Sequence, residues 1–342
     1  MSNLEVTAPN AMSQKKKGIY GSTLKIVAIV TMLIDHIGAT IVQYSIQSRQ
    51  TGLNLTNTQE LVNFYATNST LIIVNTIMRL IGRIAFPIFC FLLVEGFLHT
   101  RNVWKYALRL GIFALVSEIP FDLAFSNHFY YPQYQNVYFT LLIGLITLIG
   151  FQKLQEKLQD KSWLPVLGVA GAIVMGIAVV ISPFGFVQYI NNILWALGQD
   201  NINPYGSTGI LLAIIFSLIA LGVFAIMCKK SGVKKASLRF ADILILAIGM
   251  LAAEYLMTDY SAFGVLTIAV MYGLRKKPFR SMLGGCITLA IMSVSEIPAF
   301  LDLILVHKYN GERGLKMKYV FYIFYPAHLL ILYGICRLMK II

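Results

Sequence analysis

The sequence predicts an all-α fold, a polytopic bundle of about ten membrane-spanning helices. Three observations carry this expectation. Hydrophobic residues make up 57% of the 342 positions and charged residues 13%, with a mean hydropathy of +0.71, a balance foreign to soluble globules. Several apolar windows approach or exceed the roughly 20 residues that cross the hydrocarbon core as a helix. Regular polar/apolar alternation is lacking, which argues against a transmembrane barrel.

Residues 1–22 are a basic segment containing Lys15, Lys16 and Lys17, expected to be cytoplasmic and disordered, and 23–342 form a single integral membrane domain. The first span, 23–43, follows these lysines as a secretory signal would. Asp35 and His36 interrupt its core and no small-residue cleavage site follows, so it is expected to be retained. Further spans are expected at 70–98, 104–124, 136–152, 163–182, 206–228, 240–257, 261–274, 281–305 and 319–339. The segment 261–274 is short enough to be re-entrant, and the aromatics and amides of 184–198 suit a helix lying in the interface. Cys90, Cys228, Cys286 and Cys336 are dispersed in or at the ends of apolar runs without metal-ligand spacing. They read as buried free thiols, and no metal site is expected.

Lysine and arginine set the orientation. They cluster at Arg101 and Lys105, at Lys153, Lys157 and Lys161, from Lys229 through Arg239, and from Arg275 through Arg280. These loops and the N-terminus are expected in the cytoplasm of a multi-pass cell-membrane protein. The loops between them carry almost no basic residue, except 307–318, where Lys308, Arg313, Lys316 and Lys318 fall on the side the count makes external. The net charge of +13 therefore reads as topology and contact with anionic lipid, and nucleic acid is not expected as a partner, because the basic residues are spread over separate loops.

Polar groups within the spans are expensive and need a purpose. Arg79 and Arg83 share a helix face at i,i+4, where like charges repel, so an anion is expected against them. Glu118 and Asp122 share a face at the same spacing on the next span. They are the expected partners, unless the guanidinium forks grip ligand phosphates. Asp35 and His36 point about 100° apart on a helix and each needs its own partner. His36 is either a hydrogen-bonded structural residue or a base that moves protons near neutrality. Glu95, Glu254, Asp259, Glu296 and Asp302 add a surplus of acids at buried or boundary positions. Ser117 to Leu123 and Ser295 to Leu303 share the order Ser-Glu-Ile-Pro with a following Asp-Leu, a short echo expected to be coincidental.

These residues carry a resemblance. The stretch from Lys25 to Asp35-His36-Ile37-Gly38, the run Met78-Arg79-Leu80-Ile81-Gly82-Arg83-Ile84-Ala85-Phe86-Pro87, and Glu95-Gly96 are similar to the TraX family. So are Ser117-Glu118-Ile119-Pro120-Phe121-Asp122, the Asn136 to Thr140 stretch, and Phe324-Tyr325-Pro326-Ala327-His328. The resemblance covers most of 24–340 and implies a membrane acyltransferase of the pilin-acetylating type, linked to conjugation. It also resembles, distantly, acyltransferases of surface sugars that have an Arg eleven positions before a His and a later arginine pair. Here Lys25 stands at the Arg position before His36, and Arg79 and Arg83 are one residue further apart than the usual pair.

The resemblance implies acetyl-CoA as acyl donor, admitted by Lys25, with Arg79 and Arg83 near the thioester or pantetheine arm. It implies His36, beside Asp35, as the base, His328 as the second candidate, and Tyr325 or the arginines as stabilisers of the oxyanion. Glu118, Asp122, Asn136 and Glu254 are assigned to orienting these groups or to the acceptor, a protein, peptide or glycan. Tyr130, Tyr131, Tyr134, Tyr138, Tyr189 and Trp195 either stack on a glycan or anchor the interface. Two other classes stay open: a proton-coupled transporter using the buried carboxylates and His, and a non-enzymatic assembly partner in the envelope or pilus.

Overall fold

The structure, a computed structural model, describes residues 18–54, 56–182, 186–315 and 318–342. The expected disorder of residues 1–17 lies outside them. Residues 18–22 are held in place: the Ile19 amide donates to the Lys308 carbonyl at 2.7 Å, and the Gly21 and Ser22 amides donate to the Glu312 and Arg313 carbonyls at 2.8 and 2.9 Å.

The first span comprises α1 (Gly21–Ile37), a π-helical turn (Gly38–Val42) and α2 (Gln43–Gln50). A surface helix, α3 (Thr58–Thr67), precedes α4 (Ser69–Gly82) and α5 (Ala85–His99). These last two come from one apolar run of 31 residues, broken at Arg83 and Ile84. Pro87 causes the break, because its ring clashes with the carbonyl four residues back, that of Arg83, and it has no amide to offer. The chain continues through α6 (Val103–Ser126), α7 (Val137–Leu158), α8 (Leu164–Ile181), α9 (Phe186–Ala196), α10 (Ser207–Ser231) and α11 (Val233–Tyr255). It closes with α12 (Ser261–Gly273), α13 (Pro278–Met292), a 3-10 segment (Val294–Leu301), α14 (Asp302–His307) and α15 (Lys318–Leu338).

Among the described residues, seven helical segments are long and apolar enough to cross a bilayer, so this is an all-α, multi-pass membrane protein. Exposed Ile210, Leu211, Ile214 and Leu218 on α10 give the bundle an apolar exterior suited to lipid. The interior packs around Leu24, Phe91, Leu145, Ile268, Met282 and Leu329 from six helices. At 11 residues α9 is too short to cross, at about 16 Å. Its Tyr189 and Trp195 are exposed and Val187 is buried, as expected of an interfacial helix.

One expected span is divided. The extended backbone of Ser293 ends α13, and the 3-10 segment and α14 then carry the chain back. The 14 residues of this return cover about 25 Å, most of the roughly 30 Å hydrocarbon core. The additional pass therefore lies within 281–305, and 261–274, read as short enough to be re-entrant, is an ordinary buried helix. Correcting it resolves the basic loop 307–318: residues 308–313 pair with residues 19–22 on the face where α1 begins. The last helix then rises beside α1, and Tyr44, beyond the end of α1, lies near Tyr333 and Cys336.

This topology makes a testable statement. In a background lacking the four native cysteines, a thiol at Lys308 is expected to react with an impermeant reagent from the same side as one at Lys161. A thiol at Lys340 is expected to react from the side of Tyr130. Labelling of Lys308 and Lys161 from opposite sides would refute the return pass.

Candidate active site

The site begins where α1 meets α4. Asp35 and His36 lie in the last turn of α1, just before the π-helical turn at Gly38, a feature frequent at functional sites. The Thr40 hydroxyl donates to the His36 carbonyl at 2.6 Å within this turn. The two side chains diverge as the helix geometry requires. Asp35 turns to α4, where Arg79 Nη1 lies 2.5 Å from its Oδ2. Two glycines permit this approach: a side chain at Gly38 would press on Met78 and Asn75, and one at Gly82 would overlap the Asp35 carboxyl.

Arg83, at the break between α4 and α5, reaches Glu296 of the 3-10 segment at 2.8 Å, and Glu296 is only 1% exposed. Its guanidinium also meets the Tyr260 hydroxyl, and the Tyr260 ring stacks on Phe86 with centroids 3.7 Å apart. The neighbouring Asp259 accepts from the Tyr134 hydroxyl at 2.8 Å. Burial pushes the Asp259 carboxyl above the usual range, against the opposing pull of Tyr134, Arg83 and Arg79. Asp35, Asp259 and Glu296 thus surround the two guanidiniums.

These partners replace the expected ones. Glu118 accepts from Asn136 Nδ2 at 2.5 Å and from the Asn136 amide at 3.2 Å, and Asn136 also donates to the Ala114 carbonyl at 2.8 Å. Asp122 accepts the Tyr131 amide at 2.8 Å. The reason is topological, since α6 packs chiefly against α7 and α15. Glu118, Asp122 and Asn136 therefore organise the start of α7 and the loop before it, while exposed Glu254 accepts from the Ser261 hydroxyl at the start of α12. Of the tyrosines assigned to the outer surface, Tyr138 is instead buried in the bundle.

His36 turns to α15. Its Nδ1 lies 2.7 Å from His328 Nε2, with the ring planes 9° apart, and His328 Nδ1 lies 2.7 Å from the Phe324 carbonyl. Tyr325 is buried beside both, with ring centroids 6.0 Å from His36 and 5.7 Å from His328. Phe125 meets His36 edge-on at 5.1 Å. Asp35, His36, His328 and Tyr325 are thus brought together from the two ends of the chain.

A cavity of about 550 Å³ opens on the face where α1 begins and reaches inward to Tyr138 and Tyr325. Lys25, Arg109 and Arg313 supply its cationic lining, His99 also lines it, and Glu95, within hydrogen-bond reach of the Tyr309 hydroxyl at 3.3 Å, stands among them. Lys25 sits over the Phe321 ring at 5.2 Å. Arg109 interacts with the Tyr322 hydroxyl, and its buried Nε has no hydrogen-bond partner among the described residues. Arg79, Arg83, His36 and His328 lie outside this lining. Sequence reasoning passed over Arg109 because Lys105, one turn earlier, makes the pair look like a basic helix end, and Arg313 because its loop had no assigned side. No group of three or more metal-binding side chains occurs among the described residues.

A family model described as TraX protein matches residues 20–198 and 202–336. A probable fimbrial assembly protein, FimC of serogroup H1, from Dichelobacter nodosus is 39% identical over 79 residues, 21% of this chain and 32% of that protein. The match thus spans about a third of that relative's length. No solved structure matches.

The Arg83–Glu296 pair carries a stability prediction. Replacing Glu296 with Ala leaves a desolvated guanidinium and is expected to cost roughly 3–5 kcal/mol, whereas Arg83→Met with Glu296→Leu is expected to recover most of it. Thermal unfolding of the three proteins in one detergent measures this. A neutral Glu296→Ala variant would deny the pair any structural role.

Proposed function

The chain belongs to the TraX family, and from that premise we propose that it is a membrane-embedded acyltransferase, moving an acetyl group from acetyl-CoA to an amine or hydroxyl acceptor. The observation that carries this reading is the cavity, cationic along its lining and ending at Tyr325, whose ring packs against the His36–His328 pair. The excess of Lys and Arg on the cavity's open face supports a cytoplasmic position for that face, the side that holds acetyl-CoA.

Lys25, Arg109 and Arg313 offer charge and hydrogen bonds suited to the donor's phosphates, and the unpartnered Nε of Arg109 has one donor to spare. Tyrosines along the cavity suit the amphipathic pantetheine arm. Arg79 and Arg83, assigned to the donor on resemblance alone, hold carboxylates instead, so phosphate contact passes to Arg109 and Arg313. In the reaction, the acceptor nitrogen or oxygen attacks the thioester carbon and gives its proton to His36. The C–S bond then breaks, and the departing thiolate takes up that proton. Tyr325 donates to the oxyanion formed on the way. The acceptor is a protein, peptide or glycan of the envelope, and the name of the fimbrial relative favours a pilus component.

Purified protein in detergent is expected to bind acetyl-CoA saturably, as followed by calorimetry. Lys25→Ala/Arg109→Ala, checked for an unchanged unfolding midpoint, is expected to weaken binding at least about 10-fold, in keeping with the loss of charged hydrogen bonds. His36→Ala is expected to bind normally and lose roughly 10²- to 10⁴-fold in turnover. A folded wild-type protein that does not bind would overturn the proposal in favour of the proton-coupled transporter.

A further inference from the structure

His36 and His328 form a directional hydrogen-bond chain. The Phe324 carbonyl can only accept, so the His328 nitrogen 2.7 Å from it, Nδ1, carries a proton. A neutral His328 then has a bare Nε2. That atom faces His36 Nδ1 at 2.7 Å, so the proton between the rings belongs to His36 Nδ1. The neutral state is the one the site supports: among the described residues no carboxylate bonds to either ring, and an imidazolium there would be an uncompensated charge in the membrane interior. Asp35, the adjacent acid, is turned away to Arg79.

We propose that His328 is a positioning residue that holds His36 as the Nδ1–H tautomer and leaves His36 Nε2 as the bare, proton-accepting nitrogen. This deepens the acyltransferase reading and rests on it for its catalytic meaning. The geometry supports it independently: Nε2 has no hydrogen-bond partner among the described residues, and His36 is half-buried, so the lone pair is not sealed in. Free imidazole in water prefers the other tautomer, so the arrangement needs a fixed acceptor on Nδ1, and His328 Nε2 is that acceptor. When Nε2 takes the acceptor's proton, the imidazolium of His36 donates through Nδ1 to His328, which in turn donates to Phe324. Each link strengthens the next, and the charge that appears on His36 is spread along the chain. The role parallels that of a carboxylate behind a catalytic histidine, here performed by a neutral ring that adds no charge to the membrane interior.

The test reads tautomers directly. In ¹⁵N-histidine-labelled protein in nanodiscs, long-range proton–nitrogen correlation separates protonated from bare ring nitrogens, and the five histidines are assigned by single replacements. The wild type is expected to show protonated Nδ1 and bare Nε2 on both His36 and His328. His328→Gln, whose carboxamide oxygen replaces the acceptor at Nε2, is expected to keep the His36 tautomer, and His328→Ala to convert it to Nε2–H. In turnover, His328→Ala is expected to lose roughly 10²-fold or more in kcat with little change in KM for acetyl-CoA, with His328→Gln recovering much of the loss. A wild-type His36 protonated on Nε2, or a tautomer unmoved by His328→Ala, would overturn the proposal. The spectra need no acyl transfer, so the expected tautomers in a protein that fails to bind acetyl-CoA would refute the function proposed above and leave this assignment standing.

Discussion

Charge in a hydrocarbon setting must be neutralised locally, and this chain meets that constraint with two ion pairs that also set its architecture. Asp35–Arg79 ties α1 to α4, and Arg83–Glu296 ties the break after α4 to the 3-10 segment more than 200 residues away. Each depends on a local backbone irregularity. Gly82 leaves room for the Asp35 carboxyl, and the Pro87-induced break turns Arg83 out of the helix to meet Glu296. Because Asp35 is held on one side of α1, His36, one residue on, is directed to the other, towards α15. The ion pair therefore orients the imidazole without touching it.

Hydropathy made most of the fold legible. Each of the ten expected spans contains helix, because a bilayer demands long apolar segments with internally paired backbones. The return pass was hidden because 281–305 has the length of a single span, and a 3-10 segment of eight residues does not carry the 3.6-residue α-helical period. Glu296 shows the consequence. It stands in the same Ser-Glu-Ile-Pro order as Glu118, yet Glu118 sits in a regular helix and Glu296 in the 3-10 return. Spacing identifies the face a residue occupies but not the element opposite it, so the arginine pair and the acidic pair were each recognised and wrongly joined. Asp35, His36, Tyr325 and His328 were legible as residue types, while their convergence depends on α15 lying parallel to α1, which in turn depends on the hidden pass.

The separation between the cavity and the histidine pair has a chemical rationale under the proposed reaction. A thioester held in a cavity open to water is exposed to hydrolysis, and a base opening directly into that cavity would activate water as readily as an acceptor. Tyr325, only 3% exposed, stands between the cavity's inner end and His36, with Phe125 against the ring edge. Under that reaction a donor's carbonyl would meet His36 only around a buried aromatic wall, where excluded water would also strengthen each hydrogen bond. A neutral histidine behind the base suits such a place better than a carboxylate would, because the resting site then carries no net charge that lipid and aromatic surroundings would have to solvate.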